Sequence, residues 1–249
     1  TLTDRSTGKI VPSVQLALDK LQEAGHFVAI ATGRAHYKAR GFMESVGLHN
    51  MVCSGGGGLV VHDRLIQNEP LDLEKAKAIV KEAEGLGIGI LLMLDDSIDC
   101  YSKNNLFREQ VGERKEPTNY IIDPTLDYEK LKVIYKIYLS VSQEEEGKLT
   151  LKDTLGNLRF VKDYLVFQYD EKHQGILDIL QQVHGKKEDV VVFGDDFNDM
   201  VMFDPIWTSI AMGNACDELK DKADIVAASN VDDGIYKLCE EQGWFEKIN

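Results

Sequence analysis

Hydrophobic and polar positions follow one pattern at the two ends of the chain and another in its middle. Near the N-terminus, Pro12 opens a stretch with helical apolar spacing that ends at Gly25, and the apolar run 27–31 follows as a buried parallel strand. In the last third, a helical pattern begins at about Gln174, and the run 190–193 predicts another buried strand. Alternation of this kind is typical of an α/β layer with a parallel sheet.

The middle of the chain predicts a different architecture. The elements expected there are a helix at 71–86, a hairpin from 88–93 to 98–102, a strand at 133–141, a polar helix at 143–155, and strands at 159–162 and 164–168. This order indicates an α+β unit with an open antiparallel sheet. We therefore predict a doubly wound α/β core formed by residues 1–71 and 172–249, with residues 72–171 inserted as an α+β domain.

Composition and charge narrow the class of protein. Hydrophobic residues make up 43% of the 249 residues and charged residues 28%, and no run approaches the roughly 20 apolar residues of a membrane span. A net charge of -14 argues against nucleic acids and anionic membranes as partners, because both bind basic patches. The four cysteines are scattered without a CxxC pair and no signal peptide is visible, so we expect a cytoplasmic protein with free thiols.

The densest group of polar residues directly follows the run 190–193. Its sequence is Phe193-Gly194-Asp195-Asp196-Phe197-Asn198-Asp199. Because parallel strands present ligands at their carboxyl ends, we expect Asp195 and Asp196 in the crevice at that sheet edge. Carboxylates this close repel one another unless a cation compensates, and an all-oxygen set suits Mg²⁺. The alternative is an Asp-rich turn in which Asp196 or Asn198 caps the next helix.

Two further segments begin helices next to predicted strands. Ala31-Thr32-Gly33-Arg34 offers a hydroxyl and backbone N–H groups at a helix N-terminus, a natural seat for a phosphate, although Thr32 could equally serve as an N-cap. Glu171-Lys172-His173-Gln174-Gly175 carries a lysine that could neutralise a phosphate oxygen and a carboxylate in the same crevice. The alternative for Lys172 is a solvated position in a loop.

Together the three segments have the order and spacing of one family. The chain resembles the haloacid dehalogenase superfamily, and within it the Cof-like sugar-phosphate phosphatases with a type II cap. The matching stretches are Thr1-Leu2-Thr3-Asp4 with the end of the first motif, DxDGTLT; Ala31-Thr32-Gly33-Arg34 with the second; Gly194–Asp199 with the fourth, GDxxND; and Ala211-Met212-Gly213-Asn214-Ala215 with a stretch near the substrate mouth. The resemblance implies a Rossmannoid core and an inserted cap that acts as a lid and reads the leaving group.

The resemblance also implies a reaction, the Mg²⁺-dependent hydrolysis of small phosphorylated metabolites through a phosphoaspartate. The nucleophile and the acid–base aspartate of DxDG are expected just upstream of Thr1, together with the central strand that a doubly wound sheet has before its first helix. The implied site residues are Asp195 and Asp199 for the metal, Thr32 and Lys172 for catalysis, and Thr32, Gly33, Arg34, Asn198 and Asn214 for phosphate and substrate. Asp199 is either a second metal ligand or a residue that orients the site.

One position departs from the family pattern. The third-motif lysine usually stands directly before a glycine, where this chain has Gln174, and the nearest lysine is Lys172. A shift of two residues at a helix start changes the direction of the side chain by about 200°. Either the turn is therefore remodelled to bring Lys172 into the site, or another cation takes the place of the motif lysine. A phosphotransferase of the same superfamily and a non-catalytic relative are the alternatives to a phosphatase. The expected partner is a small phosphorylated metabolite, and the expected state is a monomer or weak homodimer.

Overall fold

The computed structural model describes residues 1–248 and has helices and strands throughout. The helices are α1 (Pro12–Ala24), α2 (His36–Ser45), α3 (Leu73–Gly85), α4 (Leu106–Val111), α5 (Lys172–Val183), α6 (Asp217–Lys222) and α7 (Gly234–Glu241). The strands are β1 (Ile30–Ala31), β2 (Met51–Cys53), β3 (Gly58–Val61), β4 (Arg64–Asn68), β5 (Ile90–Met93), β6 (Asp99–Ser102), β7 (Asn119–Ile122), β8 (Lys136–Leu139), β9 (Asn157–Val161), β10 (Tyr164–Phe167), β11 (Val191–Gly194), β12 (Thr208–Ala211) and β13 (Ile225–Val226). The predicted α/β fold class is confirmed.

The two ends of the chain form two separate sheets. One has the order β1-β2-β3-β4, with β1 parallel to β2 and the other pairs antiparallel. The other has the order β11-β12-β13 and is parallel throughout. Among residues 1–248 no strand joins β1 to β11, so this part holds two hydrogen-bonded sheets, and the central strand expected upstream of Thr1 stays a prediction.

Helices cover these sheets and bury their apolar residues. Helix α1 begins with Pro12 in its first turn and ends at Gly25, whose φ of 101° closes the helix in the left-handed region. Its face buries Val14 in a cluster that also contains Met51 of β2. Helix α5 buries Ile176 in a second cluster with Val192 of β11 and Val52 of β2. This packing brings the ends of β2 and β11 to the start of α5.

Residues 72–171, which we call the insert, hold the third sheet. Its order is β7-β6-β5-β8-β10-β9, and every neighbouring pair is antiparallel except β6 with β7. Helix α3 is capped by Asp72, which accepts from the Lys75 backbone N–H at 3.0 Å, and it packs on this sheet with Ile79 fully buried. The insert thus has the α+β architecture expected of it, and its exact boundaries stay a prediction.

The predicted polar helix at 143–155 is wrong. The segment instead forms short 3₁₀ turns at Glu146–Lys148 and Lys152–Thr154. Glu146 accepts from the Arg159 guanidinium at 2.9 Å and from Lys152 Nζ at 3.0 Å. These ion pairs hold Glu146 against β9, so it does not lie on the solvated face of a helix.

Other differences concern the length of elements. The strand predicted at 27–31 is shorter and consists only of β1, and Phe27 before it is 40% exposed, with its ring edge-on to the His62 ring. Helix α4 and strand β7 were not predicted. Helix α5 begins at Lys172 and not at Gln174, which changes the direction of both side chains. No helix within residues 1–248 has the length and apolar character needed to cross a membrane.

Candidate active site

Asp195 follows β11 directly and is buried at the end of the strand. Gly194 turns the chain so tightly that a Cβ there would come within 2.8 Å of Asp199 Cβ. Asp195 is 8% exposed, and its Oδ1 accepts from the Thr1 hydroxyl at 2.5 Å. Its Oδ2 accepts from the Arg5 guanidinium at 3.2 Å. The Thr1 hydroxyl and the Arg5 guanidinium therefore face this carboxylate.

Burial acts to raise the pKa of Asp195, whereas the hydrogen bond from the Thr1 hydroxyl and the charge of Arg5 act to lower it. Asn214 Nδ2 lies 3.4 Å from Asp195 Oδ2. The Asn214 amide is oriented by Asn230, whose backbone N–H donates to Asn214 Oδ1 at 3.1 Å. The side chain predicted near the substrate mouth thus lies beside the predicted metal ligand.

Asp199 and Lys172 form a buried ion pair. Lys172 Nζ donates to Asp199 Oδ1 at 2.7 Å, and the two residues are 2% and 6% exposed. Asp199 Oδ2 accepts from the backbone N–H groups of Asp195 at 3.0 Å and Asp196 at 3.3 Å. Both oxygens of Asp199 therefore have protein donors. This carboxylate ties Lys172 to the turn that carries Asp195.

Asp196 is a helix cap, as the alternative interpretation of the Asp-rich turn held. It is exposed and accepts from the Phe197 backbone N–H at 2.8 Å, at the start of the 3₁₀ turn Phe197–Met202. Asp199 completes a capping box with it. Asn198 is half-buried in the first turn of the same element. Of the carboxylates of the motif, Asp195 alone combines burial with a position at the strand end.

The run of glycines after β2 explains how Lys172 reaches the site. The Glu171 backbone N–H donates to the Gly55 carbonyl at 2.8 Å. A Cβ on Gly55 would lie 1.9 Å from the Tyr169 carbonyl oxygen, and one on Gly56 would lie 2.3 Å from the Glu171 carbonyl oxygen. Both glycines have positive φ, 69° and 111°. Only this backbone lets the segment before α5 pack close enough to aim Lys172 inward.

Thr32 lies at the end of β1, but it does not cap a helix. Helix α2 begins four residues later at His36, and the Thr32 hydroxyl accepts from the Arg34 backbone N–H at 3.2 Å. The N-terminus of α2 is occupied instead by Asp96 of the insert, which accepts from the Tyr37 backbone N–H at 3.0 Å. The expectation that this segment opens a helix is therefore wrong. A phosphate contact here would come from Thr32 and the adjoining loop.

A chain of direct contacts links the three predicted motifs. The Gly55 backbone N–H donates to the Thr32 carbonyl at 3.1 Å, and Gly55 in turn holds the segment that leads into Lys172. Lys172 contacts Asp199, which contacts the Asp195 backbone. Thr32, Lys172 and Asp195 are thus held within one continuous set of contacts. Arg34 is exposed, and its backbone joins this set because its N–H donates to the Thr32 hydroxyl and its carbonyl accepts from the Ser54 N–H at 2.7 Å.

A model of the haloacid dehalogenase-like hydrolase family matches residues 1–238. The chain belongs to this family. It is similar to the "Putative phosphatase YkrA" of Bacillus subtilis, at 27% identity over 94% of this chain and 91% of that protein. It is also similar to pyridoxal phosphate phosphatase YbhA of Escherichia coli, at 25% identity over 95% and 93%.

Solved structures agree with the haloacid dehalogenase-like assignment. A protein from Geobacillus kaustophilus has a TM-score of 0.80 at 26% identity, covering 98% of this chain and 95% of that one. The subclass IIB sugar phosphatase BT4131 has a TM-score of 0.75 at 23% identity, covering 98% and 96%, which shows the shared fold. The predicted family and the predicted hydrolase class are confirmed.

The departure at the third motif has a structural answer in this member of the family. Gln174 is exposed and donates to Asp178 at 2.8 Å on the surface of α5. Lys172 is the first residue of α5 and is directed to Asp199. Of the two alternatives weighed from sequence, the remodelled turn is the one that this backbone adopts.

The residues around Asp195 fit a magnesium ion. Within residues 1–248 no three side chains of His, Cys, Asp or Glu come together as a metal-binding cluster. Mg²⁺ typically takes only one or two protein carboxylates and keeps several waters. Asp195 offers a buried carboxylate at the strand end whose partners are side chains, whereas Asp199 is bound by the buried Lys172 and by backbone N–H groups of its own turn. The chemistry of this donor set therefore suits Asp195 as a direct ligand and Asp199 as its support.

Two residues near Thr32 were missed by the sequence analysis. Lys136 of the insert donates to the Gly33 carbonyl at 3.0 Å and to Gln168 Oε1 at 2.7 Å. Lys136 lies in the middle of an apolar stretch, where a lone lysine is a visible signal. The contact with Gly33 joins residues 103 positions apart, so no local pattern could show it.

Proposed function

We propose that the chain is a magnesium-dependent phosphatase of small phosphorylated metabolites, with sugar phosphates as the favoured class. The buried ion pair of Lys172 with Asp199 next to Asp195 carries the proposal. An acidic protein that binds a dianionic phosphate needs a locally positive site, and a buried lysine with a metal ion provides one. Phosphate-monoester hydrolysis agrees with the family and with relatives that are named phosphatases. A named sugar phosphatase among the solved structures of this fold supports the choice of sugar phosphates as the first class to test.

Each candidate residue has a distinct part in this proposal. Asp195 would hold Mg²⁺, which neutralises charge where an anionic nucleophile and a phosphoryl group must approach each other. Lys172 would bind a phosphoryl oxygen while Asp199 fixes its direction. Further phosphate and substrate contacts are assigned to Thr32, Gly33, Arg34, Asn198 and Asn214. The nucleophile stays a prediction, the first aspartate of a DxDG motif upstream of Thr1.

The insert would act as the lid of this site. It already contacts the core segment that follows Thr32, because Asp96 binds the N-terminus of α2 and Lys38 of α2 forms an ion pair with Glu116. A lid at this position would exclude bulk water and contact the leaving group. We therefore assign residues 72–171 as the cap and the remainder as the catalytic core.

A phosphate-release assay on the full-length protein tests the proposal. We expect release from a panel of sugar phosphates with Mg²⁺ and none with EDTA. Lys172→Met should lower kcat by about 10²-fold or more, as loss of a preorganised donor does at other active sites. Gln174→Met on the exposed face of the same helix is the matched control and should keep wild-type activity. Activity that survives EDTA, or equal loss in both variants, would contradict the proposal.

A further inference from the structure

Lys136 and Gln168 are buried against the core segment that carries Thr32. They are 7% and 1% exposed. The antiparallel register of β8 with β10 pairs Ile137 with Phe167, which makes Lys136 and Gln168 neighbours across the two strands. Lys136 Nζ donates to Gln168 Oε1 at 2.7 Å and to the Gly33 carbonyl at 3.0 Å. The insert thus reaches the residue next to the candidate phosphate seat.

The pair has more hydrogen-bond donors than the protein uses. A lysine ammonium has three N–H donors, and the two partners of Lys136 within residues 1–248 leave one of them over. Gln168 uses its oxygen for Lys136, and its Nε2 is buried with no partner among the described residues. Nε2 lies 3.0 Å from where a Cβ on Gly33 would be. Buried donors without acceptors are costly, which points to an acceptor from outside the chain.

The charge of Lys136 is also uncompensated at short range. Both of its partners are neutral oxygens, in contrast to Lys172 with its carboxylate partner. The neighbouring carboxylate of Glu116 favours the charged form of Lys136. Glu116 is already ion-paired with Lys38 and Arg114, and the positive charges of those two residues oppose the charged form of Lys136. Burial is the main cause that lowers the pKa of Lys136 to about 8. A negative or strongly polar ligand would stabilise the ammonium.

The insert does not need Lys136 for its attachment to the core. Asp96 lies 2.7 Å from the His36 ring nitrogen Nδ1 and accepts from the Tyr37 backbone N–H at 3.0 Å. Lys38 forms an ion pair with Glu116 a short distance along the same segment. These contacts join the insert to the core independently of the Lys136–Gly33 hydrogen bond.

We propose that Lys136 and Gln168 form the recognition point for the leaving group, binding hydroxyl or anionic oxygens of the phosphorylated metabolite. This inference rests on the proposed phosphatase function and adds the residues that select the substrate. Substrates whose leaving group carries oxygen acceptors near the phosphate would satisfy the free donors. An apolar aromatic leaving group would leave them unsatisfied.

Two substrates and three variants test this assignment. Glucose 6-phosphate has a leaving group rich in hydroxyls, whereas p-nitrophenyl phosphate has an aromatic one. Lys136→Met and Gln168→Leu should lower kcat/KM for glucose 6-phosphate by about tenfold or more, mainly through KM, as loss of a hydrogen bond to a charged group does. They should change kcat/KM for p-nitrophenyl phosphate by no more than about twofold. Lys103→Met, which removes an insert lysine paired with Glu84 on the surface, should change neither.

The outcomes separate this inference from the proposed function. Equal losses on both substrates would assign Lys136 and Gln168 a structural role and overturn the inference, as would no loss on either. If wild-type protein hydrolyses neither substrate with Mg²⁺, the proposed function fails, and binding then decides the inference. In that case glucose 6-phosphate should raise the Tm of wild type and Lys103→Met but not of Lys136→Met. A Tm rise that is the same in all three proteins would overturn it.

Discussion

The buried charge of Lys136 leads to a prediction about stability that does not depend on activity. Burial lowers the pKa of Lys136 from 10.5 to about 8. At about 1.4 kcal/mol per pKa unit, this difference corresponds to about 3 kcal/mol of destabilisation while both states carry the proton. Between pH 8 and pH 10.5 the unfolded chain binds more protons than the folded one, so this penalty disappears as the pH rises.

Lys136→Met removes the titrating group and therefore changes the pH dependence. At pH 7 the variant no longer has the buried ammonium, which stabilises it by about 3 kcal/mol relative to wild type. It also leaves the Gly33 and Gln168 oxygens without their donor, at a cost of about 1–3 kcal/mol. We expect it to be as stable as wild type, or more so. At pH 10 most of the gain is absent, so the variant should be the less stable protein. The difference in free energy of unfolding should shift by about 2–3 kcal/mol between these pH values.

Urea denaturation at pH 7, 8, 9 and 10 measures this difference. Groups such as Cys239 and Tyr138, whose pKa values burial raises without a contribution from Lys136, titrate in both proteins and cancel in the comparison. Lys103→Met controls for the loss of a lysine from the same sheet unit, and its difference from wild type should stay nearly constant. A constant difference for Lys136→Met as well would refute the argument that this ammonium is buried without compensation.

Three further predictions concern the core site and the boundary with the insert. Asp195→Asn should raise the Mg²⁺ concentration for half-maximal phosphate release by about tenfold or more, since it removes the charged ligand. Gly56→Ala should lower kcat strongly, because a Cβ would press on the Glu171 carbonyl and displace Lys172. The control Gly85→Ala meets no atom within 4 Å and should retain activity. Asp96→Ala should speed amide hydrogen exchange at the start of α2 by about tenfold, since it removes the acceptor of the Tyr37 N–H; unchanged exchange would contradict its role as a cap.

Sequence patterns predicted the elements that depend on local periodicity. Pro12 and Gly25 bound α1 as expected, because both act on the backbone of their own turn. The helix at 143–155 failed because ion pairs of Glu146 with Arg159 and Lys152 outweigh its local helical pattern. The direction of Lys172 was left open for a similar reason. It depends on close packing of the glycines after β2 against the backbone of the segment before α5, which is a contact between distant parts of the chain.

The two buried lysines show how a strongly acidic chain can provide a site for an anion. The net charge of -14 repels a dianionic substrate at long range, so attraction has to come from groups at the site itself. Lys172 is held by Asp199, and this pairing lets it stay charged and directed while it is buried. Lys136 has only neutral partners, and its charge is therefore the one that a ligand would compensate. The first lysine belongs to the core and suits the phosphate common to all substrates, whereas the second belongs to the insert and suits the part that differs among them.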